Sequence, residues 1–406
     1  MTTERADAER VSEARLGWLS FATMFVIGTD TFLVAPLLPT LRAEFDVDVP
    51  ASGPLVSAYA VGYIVCALVA GPISDRVDRR RMLLTGMGLF TLLTTLCGAA
   101  WGFWPMVGFR FLAGAAAAIA TPQVWASIPQ LVPGARLVRV MGRATAGLAV
   151  AQVAGIPIGS FLAAGSWRWS FVFVGAAAAV VTVLLFAGFP TVPRAVPARP
   201  GRQDDRGGYA YVLRSRRLLL ALVAYFVFQT GNFAALSFFG SWFARDFDLD
   251  STGIGLTMIA IGAGNAAGSL FGHFLTARLG RARSLWVGIL AMSVGYAAVA
   301  VTGVLPLAVA LLTAIMAVAG FLFPVLMAAV QEHAGPARGT VSSLANIAMY
   351  AGTTLGVAVA APVFDATREF TGVAAVTVAA CLVALVVFVA AEALDAREGH
   401  SRRVLR

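Results

Sequence analysis

An aspartate and an arginine, Asp30 and Arg110, stand inside apolar runs that carry almost no other charge. Ionised groups in hydrocarbon are costly, and they mark ion or proton pathways or pair with one another. At 1.5 Å per residue, Asp30 lies roughly 21 Å along a helix beginning near Leu16, on the order of 12 Å below the outer face of a bilayer. Arg110 falls roughly 9 Å inside the outer end of its own helix. Opposite charges at similar depth predict an interacting pair. Such a pair reads in one of two ways: Asp30 exchanges a proton and competes for Arg110 with substrate or protonation state, or the two form a static buried pair, with Asp30 at most lining a water-filled vestibule.

Side-chain amides are the other polar groups at depth. Tyr225, Gln229 and Asn232 fall at i, i+4 and i+7, one helical face, with Phe226, Phe228 and Phe233 beside them. Asn346 and Tyr350 form a second i, i+4 pair, and Gln152 lies in a fifth apolar run. A lining of aromatics and amides suits an amphipathic organic solute. The same amides could equally hydrogen-bond a neighbouring helix. Catalytic chemistry is not indicated: His273, His333 and His400 have no metal-ligand spacing. No G-x-S-x-G, H-E-x-x-H or phosphate-binding G-x-x-x-x-G-K-[ST] stretch is present. Neither an enzyme nor an ATP-driven pump is expected, and no metal or cofactor; the energy source would be a proton gradient.

The elements that hold these residues follow from composition. With 59% hydrophobic residues, 13% charged and a mean hydropathy of +0.82, the chain is far from a soluble domain, which carries about 25% charged residues. Twelve apolar segments emerge, each long enough to span a bilayer: 16–38, 50–72, 82–101, 104–128, 138–164, 169–190, 218–242, 252–275, 284–303, 305–330, 340–363 and 371–394. The expected organisation is a cytoplasmic tail (1–15), a six-helix bundle (16–190), a cytoplasmic linker (191–217), a second six-helix bundle (218–394) and a cytoplasmic tail (395–406). Of the 30 basic residues, all arginine, 25 fall in the tails, the linker and the turns on one side. That bias puts both termini in the cytoplasm. The net charge of +9 is thereby a topology signal, and no nucleic-acid partner is expected. Cys66, Cys97 and Cys381 lie in apolar runs as packing residues.

The two halves repeat. Arg42 to Asp48 recurs as Ala244 to Asp250, Arg76 to Arg81 as Arg278 to Arg283, and Ala135-Arg136 as Ala337-Arg338, all at an offset of 202 residues. The third, sixth, ninth and twelfth segments hold no amide or charge in their cores and read as apolar outer supports. The fold class expected is an all-α integral membrane protein, twelve transmembrane helices arranged as two pseudo-symmetric six-helix bundles. The alternative of a passive membrane scaffold gives no reason for Asp30 and Arg110 at matched depth.

Between the second and third segments runs Gly71-Pro72-Ile73-Ser74-Asp75-Arg76-Val77-Asp78-Arg79-Arg80-Arg81. It resembles the loop 2–3 signature of the major facilitator superfamily, departing at Ile73 and at Asp78, where glycine is usual. Gly108-Phe109-Arg110 with the small residues after it is similar to that family's fourth-helix motif. Gly147 to Ser160, containing Gln152, Gly155, Pro157 and Gly159, resembles the fifth-helix motif of its drug:proton antiporters, with Ile156 inserted and Ser160 for a glycine. In that form, and with Trp167-Arg168-Trp169 following, it is similar to bacterial exporters of chloramphenicol-like drugs, sugars and nucleosides. The resemblance implies a proton-coupled antiporter of lipophilic or amphipathic small molecules in the bacterial inner membrane. The alternative it leaves is a proton-coupled or facilitated carrier of a sugar, nucleoside or other metabolite. Its partners would be the solute, protons and lipid, and it would act as a monomer. Gly71, Asp75, Arg76, Arg79 and Arg80 become a gating turn, with Asp75 latching near Gly339 and Thr340, where a helix dipole favours a carboxylate. Gly147, Gly155 and Gly159 share one face as a close-packing seam echoed by Gly352 and Gly356, and Pro157 predicts a kink.

Overall fold

Apolar runs of this length become helices because the hydrocarbon offers backbone N–H and C=O groups no partner but each other. The computed structural model describes residues 2–48, 52–132, 134–163, 166–192, 208–367 and 369–404. Within them the side chains of 2–12, 155–163, 393–404 and a few isolated positions lie outside the description. The chain divides into two compact units, Met1–Gly201 and Arg202–Arg406. The first holds α1 (Thr2–Phe45), α2 (Gly53–Ser74), α3 (Arg79–Gly98), α4 (Phe103–Leu131), α5 (Leu137–Ala163) and α6 (Trp167–Gly188). The second holds a short α7 (Tyr209–Arg214), then α8 (Arg216–Asp246), α9 (Ser251–Phe271), α10 (His273–Leu279), α11 (Arg281–Ala300), α12 (Leu305–Glu332), α13 (Arg338–Thr367) and α14 (Phe370–Val404). No strand occurs among the described residues. Eleven of these helices are long and apolar enough to cross a membrane; α5, partly outside the side-chain description, completes six long helices per unit.

Helix ends follow local chemistry. Asp78, the departure from glycine in the turn, is the N-cap of α3: its side chain accepts from Arg81 N at 2.8 Å. Asp250 caps α9 the same way, from Gly253 N at 2.8 Å. Such caps satisfy amides that a helix start leaves open. The tail read as 1–15 is continuous with α1, which starts at Thr2, and the stretch read as linker contains α7.

Each unit packs by one plan. In the first, α1 lies on α5, α2 on α4, and α3 on α4 and α6; in the second, α8 lies on α13, α9 on α12, and α11 on α12 and α14. Small residues make these approaches possible. Gly62 of α2 meets the carbonyl of Phe111 on α4, and Gly264 of α9 meets that of Thr313 on α12. Both members of the second pair sit 202 residues after those of the first, the offset of the sequence repeat. Asp46 and Asp248, at the same offset, both take the left-handed conformation with φ 51°. The duplication is therefore a structural one.

Candidate functional site

The site of the first unit forms where α1 and α4 bring their single deep charges together. Arg110 Nη1 donates to Asp30 Oδ2 at 2.6 Å, and the side chains are 1% and 0% exposed. Tyr59 of α2 supplies a ring whose centroid is 4.5 Å from the guanidinium carbon, a cation–π contact that a desolvated arginine favours. Gly114, one turn beyond Arg110, lies against the backbone of Tyr59 and lets the two helices close. On α3, Thr94 and Cys97 are fully buried, and Thr94 Oγ1 has no hydrogen-bond partner among the described residues. Asp30 Oδ1 and Arg110 Nε remain buried with no hydrogen-bond partner. The pair is thus sealed in this conformation and only half saturated. A carboxylate so placed can release its arginine on gaining a proton, since the attraction holding them is electrostatic.

The sequence reading names Cys97 only as a packing residue and does not single out Tyr59 or Thr94. The third helix keeps the absence of amides and charges read for its core, with Thr94 and Cys97 buried on it.

In the turn between α2 and α3, Asp75 pairs with Arg79 one helical turn on, at 3.5 Å, with side chains 2% and 10% exposed. Arg80 instead reaches α6, where it donates to the Phe186 carbonyl and lies 5.9 Å from that ring. Arg15 of α1 donates to the next carbonyl, Ala187, at 2.9 Å. Two arginines thereby cap the C-terminal end of α6, where cations are favoured. Gly71 is buried inside α2 and Arg76 is exposed in the turn. On α5, Gly147 sits against the Phe21 carbonyl of α1, while Gly28 of α1 meets Leu148 and Ala151. Gln152 is half-buried. The surroundings of Gly155, Pro157 and Gly159, and with them the expected kink, lie outside the described residues.

In the second unit the stripe on α8 is buried rather than open. Tyr225 and Gln229 are 0% and 1% exposed, and the Tyr225 ring centroid is 6.1 Å from that of Phe323 on α12. Tyr225 OH, Gln229 Oε1 and Asn232 Oδ1 are all buried without a hydrogen-bond partner among the described residues. Phe233 is half-buried beside them. The second pair differs: Asn346 Nδ2 donates to the Ser342 carbonyl of its own helix at 2.8 Å, and Tyr350 is half-buried. Gly352 and Gly356 face the α8 backbone at Phe226 and Thr230, so α13 packs on α8 through the glycine seam. Among the described residues no cluster of histidine, cysteine or carboxylate could hold a metal ion.

A sequence profile of the Major Facilitator Superfamily matches residues 20–357 and, again, 221–403. The chain is 41% identical over 389 residues to an uncharacterised transporter of that type, YceJ of Bacillus subtilis, covering 96% of this chain and 99% of that one. It is 28% identical over 351 residues to a chloramphenicol resistance protein of Streptomyces lividans, covering 85% and 88%. In fold it is similar to the crystal structure of the transporter FucP in its outward conformation, with TM-score 0.77 at 14% identity over 94% of this chain and 99% of that one.

Proposed function

This chain belongs to the Major Facilitator Superfamily, and from that premise we propose that the multi-pass membrane transporter it forms is a proton-coupled exporter of lipophilic or amphipathic small molecules. The observation that carries the reading is the Asp30–Arg110 pair, buried on both sides and joined at 2.6 Å. Such a pair is a poor stabiliser, because desolvation offsets most of its attraction. Its worth is as a switch: ionised, Asp30 holds Arg110; protonated, it lets go. Proton entry from outside would thus alter the conformational balance of the first unit as solute leaves by alternating access. The protein would work as a monomer in the bacterial inner membrane with both termini cytoplasmic, the orientation favoured by the arginine bias.

The solute would meet the face of α8. Its aromatic residues suit an apolar body, and the unpartnered Tyr225, Gln229 and Asn232 groups suit a molecule bearing hydroxyl or amide groups. Likeness to the chloramphenicol resistance protein favours a drug. The same three polar groups favour, as a second reading, a sugar or nucleoside.

Purified protein in proteoliposomes, under an imposed pH gradient, tests this with labelled chloramphenicol and a labelled hexose run side by side. Export of the first at the expense of the gradient is the expected result, abolished by Asp30→Asn. Hexose movement alone would select the second reading, and pH-driven transport surviving in Asp30→Asn would overturn the coupling.

A further inference from the structure

The last turns of α6 expose Val180, Val183 and Phe186, each three residues after the one before, along one side of the helix. In a membrane helix such a surface meets acyl chains. It ends at two guanidinium groups. Arg80 of α3 donates through Nη2 to the Phe186 carbonyl, and Arg15 of α1 donates through Nη2 to the Ala187 carbonyl at 2.9 Å. Consecutive carbonyls bring the two cations side by side, one from each flanking helix. Gly188 makes room for them: a Cβ there would fall 2.7 Å from Arg15 Nε. Each of these bonds uses a single Nη nitrogen, and an arginine fork carries further N–H donors. No carboxylate takes the remainder. Asp75 is held by Arg79 and Glu13 by Arg136, while Asp78 caps α3. Neither Arg15 nor Arg80 forms an ion pair among the described residues.

The depth is marked by Trp18, exposed on α1 with the Arg143 guanidinium carbon 5.6 Å from its ring centroid. Tryptophan favours the membrane–water interface. Arg15 stands three residues further out on the same helix, about 4.5 Å, at the level of lipid headgroups. We propose that Arg15 and Arg80 form a binding site for an anionic phospholipid. The two forks hold the phosphodiester, as planar guanidinium groups do well, and an acyl chain lies along Val180, Val183 and Phe186. The Phe186 ring, 5.9 Å from the Arg80 guanidinium, joins the polar and apolar parts. Charge selects the headgroup. Two cations against one phosphodiester leave a positive charge over, which repels the ammonium of a zwitterionic lipid and accepts a glycerol or a second phosphate. The second unit offers no copy of the site. The offset of 202 residues carries Arg80 onto Ala282, and α14 runs on past Phe388 and Val389, the equivalents of Phe186 and Ala187. One tightly held lipid per chain is therefore expected, whatever solute is carried and whether or not protons drive it.

Native mass spectrometry of the full-length detergent-purified protein, mixed with phosphatidylglycerol or phosphatidylethanolamine of identical chains, reads the binding. The wild type should hold one phosphatidylglycerol, about tenfold more tightly than phosphatidylethanolamine. The double variant Arg15→Gln, Arg80→Gln should lower that affinity about tenfold and erase the preference, since two charge-assisted contacts are lost. Arg283→Gln, at an exposed arginine of the second unit, should leave it unchanged. Because glutamine also weakens the cap on α6, Arg15→Lys with Arg80→Lys keeps both charges, and should bind several-fold more weakly than the wild type because an ammonium lacks the fork. Equal retention of both lipids by the wild type would overturn the site. So would a loss in neither double variant beyond that of Arg283→Gln. Tight binding of inorganic phosphate without retention of phosphatidylglycerol would assign the two arginines to a free anion and overturn the lipid.

Discussion

Replacing Arg110 by methionine removes the charge and leaves Asp30 sealed without its partner. The magnitude follows from the burial. Arg110 is 1% exposed and Asp30 0%, so neither water nor counter-ion replaces the lost contact. With charge centres about 4 Å apart, the gross attraction is about 4 kcal/mol at an effective dielectric constant of 20. Deleting one partner of such a pair costs about 3–5 kcal/mol, which for a unit of this size is a fall of about 10 °C in apparent Tm. The isosteric double variant Asp30→Asn, Arg110→Met leaves no charge to bury, and its stability should return to within about 1 kcal/mol of the wild type, about 2–4 °C in apparent Tm. Transport should not return. The assay is a thermal melt of detergent-purified protein followed by size-exclusion fluorescence, beside pH-driven export from proteoliposomes. A purely structural pair would regain activity along with stability in the double variant. If the double variant transports with its pH dependence unchanged, the electrostatic switch proposed for the first unit is wrong. If Arg110→Met alone melts like the wild type, the burial argument itself fails.

Three further perturbations address the scaffold and the solute. Gly62→Val drives a side chain into the Phe111 carbonyl and should cost about 1–3 kcal/mol by forcing α2 from α4; Gly88→Val, with open space at the same atom, should melt nearly as the wild type does. Asp78→Ala removes the cap donated to by Arg81 N and should lower stability by about 1 kcal/mol, whereas Asp78→Gly should lose only a few tenths; equal losses in urea-melt midpoints would refute the capping role. Gln229→Leu and Asn232→Leu should raise the KM for the transported solute by about tenfold each, the cost of a hydrogen bond of about 1–1.5 kcal/mol, with folded yield unchanged; an unaltered KM in both removes the α8 face from the binding site.

The charged pair was legible because two ionised groups in hydrocarbon are conspicuous, and depth counting placed them together. Their sealing was not, since burial depends on how Tyr59 and Gly114 bring α2 against α4, which no local pattern encodes. Thr94 was invisible for a related reason. Threonines are common in apolar helices, and nothing in the sequence separates Thr94, whose hydroxyl is buried without a partner, from Thr91 and Thr95, whose hydroxyls donate to their own helix. Asp78 stood out in the turn, but its meaning lay in a cap three residues long, readable from the N-cap rule and obscured by treating glycine as the norm there. The amides split. Tyr225, Gln229 and Asn232 kept their shared face, whereas Asn346 turned its donor onto its own helix, an outcome that i, i+4 spacing cannot anticipate.

Duplication sharpens the meaning of the pair. The offset of 202 residues that relates Asp46 to Asp248 and the Gly62–Phe111 contact to Gly264–Thr313 carries Asp30 onto Asn232 and Arg110 onto Leu312. One scaffold was thus built twice, and its deepest polar position was given a charge in one copy and a neutral amide in the other. An acid facing leucine would have no counter-charge and would cost several kcal/mol to ionise, so the second copy could keep hydrogen-bonding capacity only by giving up the charge. Asn232 Oδ1, buried and unpartnered, retains the acceptor of the carboxylate without its titration. Confining the deep carboxylate to one unit would, on the proposed reading, restrict a proton's effect to the balance of α1 against α4. On the proposed reading, a solute meeting the α8 face would find the same neutral hydrogen-bonding surface at every step, and the energy of the gradient would enter through Asp30 alone.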